Sequence, residues 1–324
     1  MTTRRAVIAG LGSTVFVPQI LRAQEAYLTR PVVLIVPFAA GGSTDAIARI
    51  VAEAMRGPLG QSVIVENHGG AGGTLGTAQI AHAAPDGTTI GMGTASTLAI
   101  NPAAYVKLSY DVLADLSPIG AIAEVPNIME INPSVPAKDM ASFIALVKSK
   151  PDGFSYGSSG NGSVSHLMGE QFKLATGTQL LHVPYRGVGP ALADTVGGQI
   201  QVMFDNLPTS LPLVQAGKLR ALGVSSPQRL AALPDVPTFA ELNLGDLNWS
   251  AFFGLVAPVR TPAPIIAKLN AALNRALAQA AVRDLLAAQQ ATVTPGTPSQ
   301  FGDLMRREIA RMRRATAAAN IRIE

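Results

Sequence analysis

The chain has 324 residues, 48% hydrophobic and 14% charged, with a formal charge of +4 and no cysteine. This composition excludes a disordered polypeptide and any disulfide-stapled or cysteine-ligated module, and the length suits two domains that each bury a core. Three arginines and no acid fall in the first 23 residues, so the remainder carries only +1.

Those first residues read as an export segment. Arg4 and Arg5 precede a weakly polar run at 6–17, and Leu21-Arg22-Ala23 before Gln24 places the expected cleavage after Ala23. Thr3-Arg4-Arg5 ahead of Val7 and Ile8 fits a twin-arginine signal and an ordinary export signal equally well. The run is too short to span a bilayer, and no other stretch reaches the ~20 apolar residues that a spanning helix needs. The expectation is a soluble protein outside the cytoplasm, stabilised by its cores alone.

From Gln24 onward short apolar runs alternate with amphipathic segments, which predicts α/β construction with largely parallel sheets. The unbroken apolar run at 32–36 is a strand buried on both faces. It ends in Pro37-Phe38-Ala39-Ala40-Gly41-Gly42-Ser43-Thr44-Asp45. Here two glycines permit a tight turn, and Ser43 or Thr44 can cap a helix at 44–55. Strands at 63–66, 88–93 and 119–123 and helices at 74–83 and 97–106 complete the first set. A Pro-rich stretch at 126–136 opens the second, with helices at 141–150, 163–175, 190–196 and 209–215 and strands at 154–157, 180–183, 200–204 and 219–224. A strand at 249–256 and helices at 264–279, 282–288 and 300–318 are too few for a third domain and are expected to complete the first. The expected domains are 24–125 with 238–324, and an inserted 126–237. Two crossings, at 124–131 and 224–237, make a hinge between them.

In open α/β sheets ligands sit beyond the carboxyl ends of strands, where the glycine- and hydroxyl-rich turns of this chain cluster. One cup comprises Phe38, Ala40, Gly41, Gly42, Thr44 and Asp45, with Gly72, Gly73, Thr94 and Ser96 from the next two turns. A second comprises Ser158, Ser159, Asn161, Ser163 and His166, with Tyr185, Arg186 and Asp205. Free amides at helix starts attract anions, so the pair of cups suggests a small anion held between two lobes. Asp45 complements its helix dipole and would repel an anion. His166 either faces ligand or finishes its helical turn; Arg186 pairs with a ligand carboxylate or with a surface acid. Asp205 takes a ligand amine or hydroxyl, or closes an Asx turn.

Other chemistries find no support in the motifs. Gly70-Ala71-Gly72 is followed by Leu75 and Gly160-Asn161-Gly162 by Ser165 where a dinucleotide loop needs glycine, and there is no phosphate loop or serine elbow. The histidines at 68, 82, 166 and 182 lack zinc-helix spacing, so no metal and no cofactor are expected. Arg306, Arg307, Arg311, Arg313 and Arg314 lack interleaved aromatics and read as a solvated helix face, not a nucleic-acid site.

The stretches at 36–45, 70–73, 156–163 and 183–187 together resemble signatures of the Bug family, the extracytoplasmic receptors of tripartite tricarboxylate transporters. The resemblance implies a periplasmic-binding-protein fold, two doubly wound α/β lobes joined by two crossings with the ligand cleft between them. It implies a periplasmic, monomeric binding protein and not an enzyme. A ligand carboxylate would be held by loop amides and hydroxyls, partly through ordered waters, and delivered to membrane subunits of the transporter. An orphan sensor for an organic acid and a hydrolytic enzyme are the alternatives; the second would need a nucleophile and base that no motif supplies.

Overall fold

The computed structural model describes residues 30–324, so the expected export segment at 1–23 lies outside the described residues. β1 (Val32–Val36) buries four of its five apolar side chains and leads through Gly41 and Gly42 into α1 (Ser43–Leu59). β2 (Val63–Asn67), α2 (Thr74–His82) and β3 (Thr89–Thr94) follow, and β1 lies between β2 and β3, parallel to both. A wide-turned helical stretch at Ser96–Ile100, α3 (Asn101–Ala104) and α4 (Val112–Asp115) lead to β4 (Leu116–Val125).

After Pro126 the chain enters a second sheet with β5 (Asn127–Ile131), then α5 (Met140–Ser149), β6 (Ser155–Ser158), α6 (Val164–Thr176), β7 (Leu181–Pro184), α7 (Val188–Val196), β8 (Val202–Asn206), α8 (Leu207–Gln215) and β9 (Arg220–Val224). Its strand order is β7-β6-β8-β5-β9. The chain returns with β10 (Ala251–Pro258), α9 (Ala263–Ala278), α10 (Ala280–Ala288), β11 (Thr292–Val293) and α11 (Pro298–Ala318), giving the first sheet the order β11-β4-β10-β3-β1-β2. The ring of Phe301 on α11 occupies the space where a Cβ at Gly254 of β10 would sit, which seats the last helix on the first sheet.

Three expectations are corrected. The sheets are mixed: β10 runs antiparallel to β3 and β4, and β5 antiparallel to β8 and β9. A chain that leaves one sheet through β4 and returns through β10 has to reverse direction, and that reversal is a property of the crossing and not of either strand's composition. The stretch at 124–131, expected as an extended crossing at the start of the Pro-rich 126–136, contains a strand of the second sheet, β5. Neither Ser43 nor Thr44 caps α1; Gly42 is the cap residue and makes no side-chain bond, which leaves the Ser43 hydroxyl for another partner.

The crossings lie side by side. The Asn127 amide donates to Ser225 Oγ (2.6 Å) and its side chain to the Trp249 carbonyl (2.7 Å), while the Ser225 amide donates to the Asn127 carbonyl (2.8 Å). The segment after β9 packs on the second sheet's side, with the Phe239 amide bonded to Val224 and the Trp249 indole to Gln171.

Candidate functional site

The carboxyl ends of β1 and β3 meet the amino end of the antiparallel β10 at one edge of the first sheet, where Phe253 pairs with Thr94. The turns after β6 and β8 face this edge from the second sheet. Between them lies a cavity of ≈ 40 Å³, room for about three waters at ~10–15 Å³ each. A carboxylate with a few further atoms fits this space; a longer ligand requires the lobes to part.

The first lobe supplies Phe38, Gly42, Ser43, Thr44, Thr94 and Ser96, the second Ser159, Val164, Ser165, Val188, Asp205 and Asn206, and β10 adds Ala251 and Phe253. The first turns of α1 and α6 both reach the wall. Amides of a first helical turn have no acceptor within their helix, so two partial positive charges converge on one small volume. Among the described residues no Lys, Arg or His lines it, and the one ionisable side chain on its wall is Asp205.

The lobes touch around this cavity. Ser43 Oγ donates to Asn206 Oδ1 (3.1 Å), the Val164 amide to Ser96 Oγ (3.1 Å), and Tyr105 Oη lies within reach of the Ala71 and Asn161 carbonyls (3.1 and 3.2 Å). Gly72, in the left-handed region at φ 62°, meets the Asn161 carbonyl so closely that a Cβ there would overlap it.

Of the residues singled out from sequence, Phe38, Gly42, Thr44, Thr94, Ser96, Ser159 and Asp205 come together at the cavity wall. Others lie behind it. The Asp45 carboxylate accepts from the Gly41 amide, Arg49 and Asn67; burial pushes its pKa up, and these donors outweigh burial and hold it below the usual carboxylate range. Gly41 is thereby tied to Asp45, and Ala40 is exposed beside it. Gly72 and Asn161 form the interlobe contact, and Gly73 abuts Phe38 and Thr97. Tyr185 donates to Asp194 (2.6 Å), and Arg186 is exposed.

Ser158, Ser163 and His166 build the back of the second cup. Ser158 Oγ shares a 2.6 Å hydrogen bond with His182 Nε2, and the His182 ring stacks on that of His166 at 4.2 Å. Burial lowers the pKa of both; His182 is pushed down to about 3, with His166 adding to the effect. The stack is therefore neutral near pH 7 and adds no charge behind the cup. Among the described residues, no group of three His, Cys, Asp or Glu could hold a metal ion.

Sequence reasoning missed Ser165, Val188, Ala251 and Phe253. Ser165 could have been found, since it lies two residues beyond Ser163 in the same hydroxyl-rich turn; its hydroxyl accepts the Ser159 amide (3.0 Å) and neighbours Ser163 Oγ (3.0 Å). Ala251 and Phe253 carry no local signal of a ligand wall.

Ser163, placed in the second cup from sequence, is wholly buried and caps α6 by accepting the His166 amide (3.3 Å). Ser163→Ala should therefore cost about 1 kcal/mol of stability, as loss of a helix cap does, in urea unfolding. Ser159→Ala should leave the unfolding midpoint unchanged and weaken ligand binding by calorimetry; equal affinity would remove Ser159 from the site.

Comparison with known proteins places these features in context. A family model described as the tripartite tricarboxylate transporter family receptor matches residues 47–321. The periplasmic binding protein BugD is similar at 34% identity and a TM-score of 0.88, over 91% of this chain and 99% of that one. A protein of R. palustris solved with adipate is 34% identical (TM-score 0.87; 91% and 98% covered). MatC of Rhodopseudomonas palustris, solved with bound malate, is 37% identical (TM-score 0.85; 89% and 99% covered).

Proposed function

The chain belongs to the tripartite tricarboxylate transporter receptor family, and from that premise we propose that it is a Bug-type extracytoplasmic receptor. It captures a small carboxylate-bearing metabolite between two α/β lobes and passes it, chemically unchanged, to membrane subunits of such a transporter. The observation that carries this reading is the cavity itself: two helix amino ends and a ring of hydroxyls converge on a volume with no basic side chain. Adipate and malate in related proteins support the same ligand class.

The ligand set we propose is Gly42, Ser43, Thr44, Thr94, Ser96, Ser159, Ser165 and Asp205, with Phe38 and Phe253 as apolar walls. Micromolar capture requires about 8 kcal/mol, which several charge-assisted hydrogen bonds at roughly 1.5–3 kcal/mol each can supply after ordering costs. We keep as a proposal the division into a first domain of 24–125 with 238–324 and an inserted second domain of 126–237; the stretch at 238–249, which packs on the second sheet's side, speaks for a later boundary, just before β10. The Arg4-Arg5 segment supports export to the periplasm, and no helix of the described residues is long and apolar enough to cross a membrane. We take the receptor to act as a monomer.

A thermal-shift screen of organic acids, confirmed by calorimetry, tests the reading. Monocarboxylates or dicarboxylates are expected to raise the melting temperature and to be recovered unaltered. Stabilisation by a neutral sugar or a cation, with none by any carboxylate, would overturn it.

A further inference from the structure

The geometry points to a ligand that carries a hydrogen-bond donor beside its carboxylate: we propose that Asp205 receives an ammonium or hydroxyl of the bound metabolite, and that Glu130 positions Asp205 for this through Ser210. The inference rests on the carboxylate reading above and narrows it.

Asp205 closes β8 at the cavity wall and is 7% exposed. Glu130, on the neighbouring strand β5, is wholly buried. Ser210 Oγ, on α8, stands 2.6 Å from Glu130 Oε1 and 3.2 Å from Asp205 Oδ2. A hydroxyl has one hydrogen, so it donates to one of the two carboxyl groups; both contacts are hydrogen bonds when the other carboxyl holds a proton and donates to Ser210. Glu130 is that carboxyl. Among the described residues no cation acts on it and its Oε2 has no hydrogen-bond partner, so an ionised group there would be a buried uncompensated charge. The proton chain thus runs from Glu130 to Ser210 Oγ and from Ser210 to Asp205, leaving Asp205 as an acceptor that faces the cleft. Burial, followed by the nearness of Asp205, raises the Glu130 pKa well above the ordinary value, in agreement with this order.

Glu130 is the titratable group that faces Asp205. Among the described residues, the other elements that share the cavity wall (α1, β3, the stretch at Ser96, the turn after β6, α6, α7 and β10) present only apolar and hydroxyl side chains there, none of them titratable. The cavity is therefore polarised, with helix amino ends that hold an anion on one side and a carboxylate acceptor on the other. A simple dicarboxylate would place its second charge against Asp205 with no cation between them. An amino acid or hydroxy acid satisfies both sides.

Calorimetry on the full chain with two matched series, succinate, malate and aspartate, and propionate, lactate and alanine, tests the proposal. In at least one series the donor-bearing members should bind about tenfold or more tighter than the unsubstituted acid. Asp205→Asn separates the donors, since the amide oxygen still accepts from a hydroxyl but carries no charge: an ammonium advantage is lost, a hydroxyl advantage survives. Glu130→Ala should abolish the advantage and Glu130→Gln restore it, because the amide donates to Ser210 as the protonated acid does. For an amino acid, affinity should also rise with pH until Asp205 is ionised and then level off. If wild-type protein binds the unsubstituted acids as well as the substituted ones, the inference is overturned and carboxylate capture stands. If it binds none of the six while a neutral or cationic compound binds, the carboxylate reading falls and this inference with it. A Glu130→Gln protein that folds and binds but has lost the preference would overturn the role of Glu130.

Discussion

Gly72→Ala should weaken ligand binding by about a hundredfold or more, equivalent to roughly 2.7 kcal/mol, and abolish the contraction that ligand otherwise causes. The added methyl would overlap the carbonyl oxygen of Asn161, which belongs to the opposite lobe. Both groups are backbone or attached directly to it, so no rotamer change relieves the clash and the lobes must stay apart. Held apart, they lose the Ser43–Asn206, Ser96–Val164 and Tyr105–Asn161 hydrogen bonds together, and the two cups can no longer act on one ligand. A ligand favours the closed state only through contacts that the open state lacks, so affinity falls with closure. Alanine at φ 62° also carries strain of roughly 1–2 kcal/mol, which Gly60→Ala controls for: Gly60 has φ 74° at the end of α1 and open space around its Cβ. Gly42→Val is a softer block, because the Cβ at Gly42 lies 3.0 Å from a methyl of Val188, a side chain that can shift. Small-angle scattering should record a smaller radius of gyration with saturating ligand for wild type and Gly60→Ala, and no change for Gly72→Ala. Contraction of Gly72→Ala with ligand bound would mean that the Gly72–Asn161 approach is dispensable.

Asp205→Asn should make the unliganded protein more stable at about pH 8, by roughly 1–3 kcal/mol, and remove the Asp205 share of the fall in stability between pH ~4 and pH ~7, leaving the share of the same sign that buried Glu130 contributes. Burial pushes the Asp205 pKa up to about 7, against the pull of the Asn206 amide and Ser210. Between the unfolded and folded values the native state holds a proton that the unfolded state has lost, so this group makes stability fall as pH rises, and the loss is complete above about pH 7. The full cost approaches 4 kcal/mol at ~1.4 kcal/mol per unit; the variant recovers only part of it because a buried amide also needs partners. His166 and His182 work in the opposite direction. Their lowered pKa values make stability fall as pH drops below the ordinary histidine value, so the quantity to measure is the difference between variant and wild type in urea unfolding at about pH 5 and about pH 8. A variant that is less stable than wild type at both would show that the carboxylate is satisfied in the empty cleft. The same carboxylate would then be structural and not a ligand acceptor.

Much of the site was legible locally, and the reasons differ from residue to residue. Phe38, Gly42 and Thr44 follow an apolar strand and precede an amphipathic helix, so their place at a strand's carboxyl end is written in adjacent residues. Ser159 is legible for the same reason after β6. Asp45 and His166 sit in those same turns, yet Asp45 turns to Arg49 and Asn67, and His166 stacks on His182. Local sequence places a residue in a turn but does not say which way its side chain points, because that depends on partners brought in by other elements.

By itself the sequence determined the alternation of strands and helices, the two glycine- and hydroxyl-rich cups, and the scarcity of ionisable groups around them. Each of these follows from periodicity, backbone freedom and composition over a few neighbouring positions. Only the tertiary structure decided that β5 is a strand, that β10 enters the first sheet antiparallel and sets Phe253 beside Thr94, and that Glu130 lies under Asp205. Glu130 and Ser210, the pair that defines the acidic side of the cleft, are 80 positions apart. What joins them is the packing of α8 against β5 and β8, and the burial that keeps Glu130 protonated exists only once those layers have closed over it.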